Sequence, residues 1–124
     1  MKRFTVAIIL FIFVVALSIT EKIYLDSLSE KLYNSITETE YNYNISQISA
    51  SGNADEAIKL WESNKIWLSI FVNHEKLDEI SEAFVELKVN CEGSKQEFEL
   101  ALNNITFLID DLIKEESLSI YSFL

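Results

Sequence analysis

The first pattern along the chain is an almost uninterrupted apolar run from Phe4 to Ile19, preceded by Lys2 and Arg3 and followed by Thr20-Glu21-Lys22. A helix of this length spans about 24 Å, against roughly 30 Å for the hydrocarbon core of a bilayer. The long basic side chains in front of the run can reach the headgroups and extend the span. The pattern therefore predicts a membrane anchor over residues 1–20 and a separate domain over residues 21–124.

The two charges in front of the run also predict its orientation. Basic residues beside a membrane span stay on the cytoplasmic side, so we expect a cytoplasmic N-terminus and an extracytoplasmic C-terminus in the cell membrane. A cleaved signal sequence is the alternative, because Ala16-Leu17-Ser18 has the small-x-small spacing of a signal peptidase site. We favour an uncleaved anchor, since small residues two apart are common by chance.

Beyond the run, the chain has no proline and only two glycines, Gly52 and Gly93. Each glycine is followed by a helix-start signature, with a capping side chain and a glutamate three residues later: Asn53 to Glu56 and Ser94 to Glu97. These signals predict three helical blocks: 21–50, 53–91 and 94–116. Asn73 could cap a further helix, so the second block could be two helices joined near residues 72–74.

Apolar residues recur every three or four positions in each block, which is the spacing of one helix face. The stripes are Leu25, Leu28, Leu32, Ile36 and Tyr43 in the first block; Ala54, Ala57, Ile58, Trp61, Leu68, Phe71, Leu77, Ile80, Phe84, Leu87 and Cys91 in the second; and Phe98, Ala101, Leu102, Ile105, Leu108, Ile109 and Leu112 in the third. The first block can continue the membrane helix directly. We expect an all-α fold, in which an N-terminal transmembrane helix is followed by an antiparallel bundle of three to four helices.

Charge narrows the possible partners of the domain. All 20 acidic residues of the chain follow Thr20, against 8 lysines there, an excess of 12 negative charges. Such a domain is repelled by nucleic acid, which excludes a nucleic-acid partner. Cys91 is the only cysteine, so no internal disulfide can form, and its place on an apolar helix face predicts a small core residue.

The segment from Ile66 to Val72 is apolar all round, whereas a surface helix is usually apolar on one face. We favour a central helix that is packed on several sides. The alternative is a surface that docks a membrane partner or lies at the bilayer interface, with Trp67 and Ile70 as its contact residues.

A strip of acidic residues follows this segment. Glu75, Glu79, Glu82 and Glu86 have four-three-four spacing and so lie along one side of a helix. Like charges at this spacing are mildly destabilising, so a cation or a basic partner would relieve them. We favour a solvated face and keep the four residues as a possible interaction surface.

His74, the only histidine, precedes Asp78 by one helical turn. The spacing predicts a structural hydrogen bond from His74 to Asp78 or to a backbone carbonyl. Zinc-protease chemistry needs a second histidine where Asp78 stands, and no serine or cysteine lies in a recognisable nucleophile motif. We therefore expect no catalytic residues, no metal site, no cofactor and no enzymatic activity.

The order of these features resembles a known family. The basic start and apolar anchor, a glycine before an acidic helix start, Trp61, Trp67, Phe71 and the segment from His74 to Ile80 are similar to domain-of-unknown-function family 4363. The resemblance covers nearly the whole chain. It implies a small membrane-anchored helical protein of the kind found in Gram-positive, largely spore-forming bacteria. It implies no enzymatic activity and no ligand.

The sequence thus predicts a single-pass membrane protein whose extracytoplasmic domain works as a protein-interaction module. The expected partners are the membrane and another protein, for example a neighbouring membrane protein. The alternative is an extracytoplasmic sensor, or a module that binds a small molecule or a cation at the acidic strip.

Overall fold

The first helix, α1 (Lys2–Tyr43), joins the apolar run to the domain without a break. No proline or glycine lies in this part of the sequence, so nothing interrupts the backbone hydrogen bonds where the apolar run ends. With 42 residues the helix is about 63 Å long. The sequence left open whether the first block continues the helix of the apolar run, and the structure shows that it does.

The structure, a computed structural model, describes the backbone of residues 1–123 and the side chains of residues 1–116. After α1 come α2 (Gln47–Leu68), α3 (His74–Asn90) and α4 (Lys95–Phe123). Each helix packs against the next, and α4 packs against α1. Because the connections are short, neighbouring helices run antiparallel. The predicted all-α fold is confirmed: an apolar N-terminal helix continues into a four-helix bundle.

The predicted boundary at Gly52 is wrong. Helix α2 begins at Gln47, and the Ser46 side chain caps it by accepting from the Ser49 N–H. Gly52 therefore lies inside α2, where a glycine costs about 1 kcal/mol relative to alanine and is tolerated. Asn53 does not cap a helix either, because its side-chain amide donates to the Glu38 carbonyl of α1 at 3.3 Å.

The other two predicted helix starts are confirmed. The Asn73 side chain accepts from the Glu75 N–H at 2.9 Å and begins α3, so the second block is indeed two helices. The Ser94 hydroxyl accepts from the Glu97 N–H at 3.2 Å and precedes α4. Helix α4 continues past the predicted end at residue 116.

The core of the bundle is centred on Trp61, which is fully buried. Its indole N–H donates to the Ser81 hydroxyl at 2.8 Å, and its ring lies 6.1 Å from that of Phe84. Nearly all of the predicted stripe residues are buried or half-buried around it. Cys91 is also fully buried, as predicted, and burial raises the pKa of its thiol to about 11. Phe71 is the exception in the stripes and is exposed.

Replacing Trp61 by alanine should lower the free energy of unfolding by about 3–5 kcal/mol, because the change removes a fully buried aromatic side chain. The measurement is denaturant or thermal unfolding of the full-length protein in detergent, followed by circular dichroism. The matched control is Trp67→Ala, which removes the same side chain from an exposed position and should have a much smaller effect. Equal losses for the two variants would contradict this description of the core.

Candidate functional site

Most of the first half of α1 extends beyond the bundle, and only its end, around Leu17 and Thr20, lies beside Trp67. Its most apolar 18-residue window has a mean hydropathy of 2.5, and none of it is buried by the rest of the chain. The large apolar side chains of this segment are exposed, apart from the half-buried Val15. By length and composition α1 could cross a membrane, a property that it shares with signal sequences.

A second exposed apolar surface lies where α2 ends and the chain turns towards α3. We call it the corner patch: Ile66, Trp67, Ile70 and Phe71. Trp67 is 63% exposed and Ile70 is 67% exposed, while Leu68 and Val72 point into the core. The favoured interpretation of this segment, a central helix packed on several sides, is therefore wrong. The helix ends at Leu68 and has the bundle on one side only.

The corner patch lies beside the end of the apolar run of α1. Leu17 and Thr20 of α1 and Trp67 and Phe71 of the corner patch line one groove of about 340 Å³. One turn further from the apolar run, the Tyr24 hydroxyl donates to the Asn64 side-chain oxygen at 2.5 Å. These contacts place Trp67 level with the last turn of the apolar run. The periodicity of apolar residues within each helix could not predict this register, because the register depends on the axial position of α2 relative to α1.

Two carboxyl groups meet at the same end of the bundle. Glu21 of α1 has one side-chain oxygen, Oε1, that is buried without a hydrogen-bond partner among the described residues. Glu116 of α4 lies within hydrogen-bonding reach of Glu21, and burial, this contact and the charges of Glu21 and Glu115 raise the pKa of Glu116 to about 7. Lys76 opposes the rise, but it is held by Asp111 and Glu115. The Glu116 carboxyl therefore keeps its proton to a higher pH than an ordinary glutamate. Sequence periodicity could not predict this contact, because Glu21 and Glu116 lie near opposite ends of the chain.

The four glutamates of the predicted acidic strip are all exposed along α3: Glu75, Glu79, Glu82 and Glu86. In the described part of the chain none of them takes part in a salt bridge, since the nearby Lys88 pairs with Asp55 of α2 at 2.6 Å. No group of three or more histidine, cysteine or acidic side chains that could hold a metal ion is found among the described residues.

Asp78 has a different partner from the predicted one. Its carboxylate pairs with Lys65 of α2 at 2.8 Å, and this contact lowers the pKa of Asp78 and raises that of Lys65. His74 is exposed, and the hydrogen bonds of the described residues include none from its ring. The contact between Asp78 and Lys65 depends on the packing of α2 against α3. The spacing of His74 and Asp78 along the chain carries no information about that packing.

A further apolar surface lies on the outer side of α3 and α4. We call it the α3–α4 face: Val85, Val89, Leu100 and Phe107, all exposed. Val85 lines one of two shallow grooves on this side, Leu100 lines the other, and Glu86 lines both. Glu82 borders the Val85 groove and Glu97 the Leu100 groove, so carboxylates lie beside these two apolar side chains. The acidic spacing along α3 predicted the carboxylates of this surface but not its apolar side chains.

The comparison with known families is informative for most of the chain. Residues 19–122 match the model of a family described as a domain of unknown function (DUF4363). The match begins at the end of the apolar run and includes the whole bundle. Neither a curated protein nor a solved structure gives a significant match.

The raised pKa of Glu116 predicts how stability depends on pH. The pKa of Glu116 is about 7 in the folded protein against 4.5 for an ordinary glutamate, so the folded state binds more protons between these values. Stability should therefore fall as the pH rises through this window. Glu116→Gln should flatten the fall and raise the melting temperature above that of the wild type at about pH 8.

The measurement is the melting temperature of the full-length protein in detergent across this pH range. Glu99→Gln is the matched control, because it removes the same charge from an exposed position of α4 and should keep the wild-type slope. If Glu116→Gln and Glu99→Gln behave alike, the environment of Glu116 does not govern the pH dependence of stability.

Proposed function

The chain belongs to the family described as a domain of unknown function (DUF4363), and from its geometry we propose a single-pass membrane protein that binds another protein through its extracytoplasmic helical domain. The proposal makes it a binding protein and not an enzyme. The observation that carries it is the continuity of α1: one helix has an exposed apolar half and a half that forms part of the bundle core.

A bilayer is the environment that suits the exposed half. An apolar helix surface of this size is unfavourable in water, and the bundle leaves all of it uncovered. The corner patch supports an anchor that is not cleaved. Cleavage after Ser18 would remove Leu17, which lines the groove together with Trp67 and Phe71.

The absence of a break in α1 determines how the domain would be presented. A flexible linker would let a domain rotate above the membrane, whereas a continuous helix keeps it at one height and tilt. The sides of the bundle then face laterally, towards neighbours in the same membrane. The partner is accordingly a membrane protein, or a domain held at the membrane surface.

The α3–α4 face indicates the chemistry of that partner. Exposed apolar patches with a polar rim are typical of protein-binding surfaces. Here the polar groups are acidic: Glu82, Glu86 and Glu97 line the grooves that contain Val85 and Leu100. A partner surface with apolar side chains surrounded by lysine or arginine would complement it.

The alternative is a sensor or ligand-binding module that takes cations at the acidic strip, and it has less support. Calcium takes roughly six to eight converging oxygen ligands. The strip offers carboxylates along a single helix side, with Glu75 and Glu86 eleven positions apart. A line of this kind suits a basic protein surface better than a single ion.

The membrane part of the proposal predicts a topology. A reporter that is active only outside the cytoplasm, fused after Leu124, should be active, and the protein should resist carbonate extraction. Lys2→Glu together with Arg3→Glu should reduce reporter activity, because these two charges hold the N-terminus inside. Activity of a cytoplasm-only reporter at the same position would contradict the proposal.

The partner part can be tested by cross-linking in the native membrane. A photo-reactive residue at Leu100, which shares a groove with Glu86, should give a discrete cross-linked product, and one at Glu62, exposed on α2, should not. Replacing both Glu82 and Glu86 by lysine should abolish the Leu100 product, because the charge complementarity is reversed. A product that survives this charge reversal would contradict the proposed acidic binding surface.

A further inference from the structure

The register of α2 along α1 places the corner patch beside the end of the apolar run. Leu17 and Thr20 lie in the last turn of the apolar run, and Trp67 and Phe71 lie beside them. The corner patch is therefore continuous with the apolar surface of α1. A bilayer that surrounds the end of the apolar run would therefore also contact the corner patch.

The depth of that end in a bilayer follows from the lengths involved. The apolar run from Phe4 to Ile19 accounts for about 24 Å of a core of roughly 30 Å. The remaining distance of about 6 Å is four further residues, so the outer hydrocarbon boundary falls between Ile19 and Ile23. Trp67, level with the last turn of the run, then lies at this boundary or just inside it.

The composition of the corner suits that depth. In a chain with 24% charged residues, the stretch from Ile66 to Asn73 has none. The nearest acidic residues along the chain are Glu62 and Glu75. From a neighbouring helix, Glu21 of α1 lines the same groove, which suits the headgroup region, where apolar and charged groups meet. Tryptophan is the residue that most favours the headgroup region, and Ile66 and Ile70 add apolar surface beside it.

We propose that the corner patch inserts into the outer leaflet at the boundary between headgroups and acyl chains. This inference rests on the proposed membrane anchoring of α1 and adds a second contact to it. With one contact a helix can rotate about its axis, whereas two contacts side by side fix the face that the bundle turns to the membrane. The lipid contact would therefore set the direction in which the α3–α4 face points.

The two tryptophans of the chain permit a direct test. Trp61 is fully buried and lies six residues before Trp67 on α2, about 9 Å further from the boundary. The full-length protein is placed in phosphatidylcholine vesicles, some containing lipids brominated near the headgroup end of their acyl chains. The difference between the wild type and Trp67→Phe gives the fluorescence of Trp67 alone.

We expect the brominated lipid to quench most of the Trp67 fluorescence and little of that of Trp61. Aqueous acrylamide should quench Trp67 far less than its exposure in the bundle implies. The matched control is Leu100→Trp in the Trp67→Phe background, because Leu100 is 65% exposed against 63% for Trp67. Leu100 lies near the start of α4, away from the membrane end, so this tryptophan should be quenched by acrylamide and not by the lipid.

The outcomes separate the inference from the function on which it rests. If the protein does not float with the vesicles, both the anchor and the inference are wrong. If it floats and Trp67 is quenched by acrylamide but not by the brominated lipid, the inference alone is overturned. If Trp67 is shielded from both quenchers, another protein surface covers the corner patch, and the lipid contact is again overturned.

Discussion

The structure depends on one helix whose two halves have different surroundings. The first half of α1 presents exposed apolar side chains, and the second half buries one stripe, from Leu25 to Thr39, against the bundle. The same backbone hydrogen bonds run through both halves. The bundle therefore cannot move independently of the apolar segment. Helices α2 and α4 are positioned by direct contacts with α1, and α3 is held between α2 and α4.

The end of the bundle beside the apolar run differs from the opposite end because of this arrangement. At the far end Tyr43 stacks on Phe98 and donates to the Gly93 carbonyl, which closes the bundle with ordinary interior contacts. At the near end Glu21 and Glu116 are brought together and the corner patch is left uncovered. Like-charged groups in partial burial and exposed aromatic residues reduce stability in water. Both are easier to explain beside a bilayer, where protonation and apolar contacts are less costly.

The α3–α4 face has a different place in the molecule. It lies on the two helices that do not form the groove with the corner patch, and its carboxylates remain solvated. The proposed protein contact and the proposed lipid contact thus use separate surfaces. Substitutions at one surface are expected to leave the other intact, which allows the two roles to be examined independently.

The sequence by itself determined the helices, the apolar run and most of the core, because helix periodicity and capping are local properties. The caps Asn73 and Ser94 were predicted correctly for this reason. The helix boundary predicted at Gly52 was wrong because Ser46 caps α2 at an earlier position. Only the tertiary structure decided the pairing of Asp78 with Lys65, the meeting of Glu21 with Glu116, and the exposure of Trp67 beside the end of the apolar run. Each of these depends on the register between helices, which is set by side-chain packing across the bundle and leaves no periodic signal along the chain.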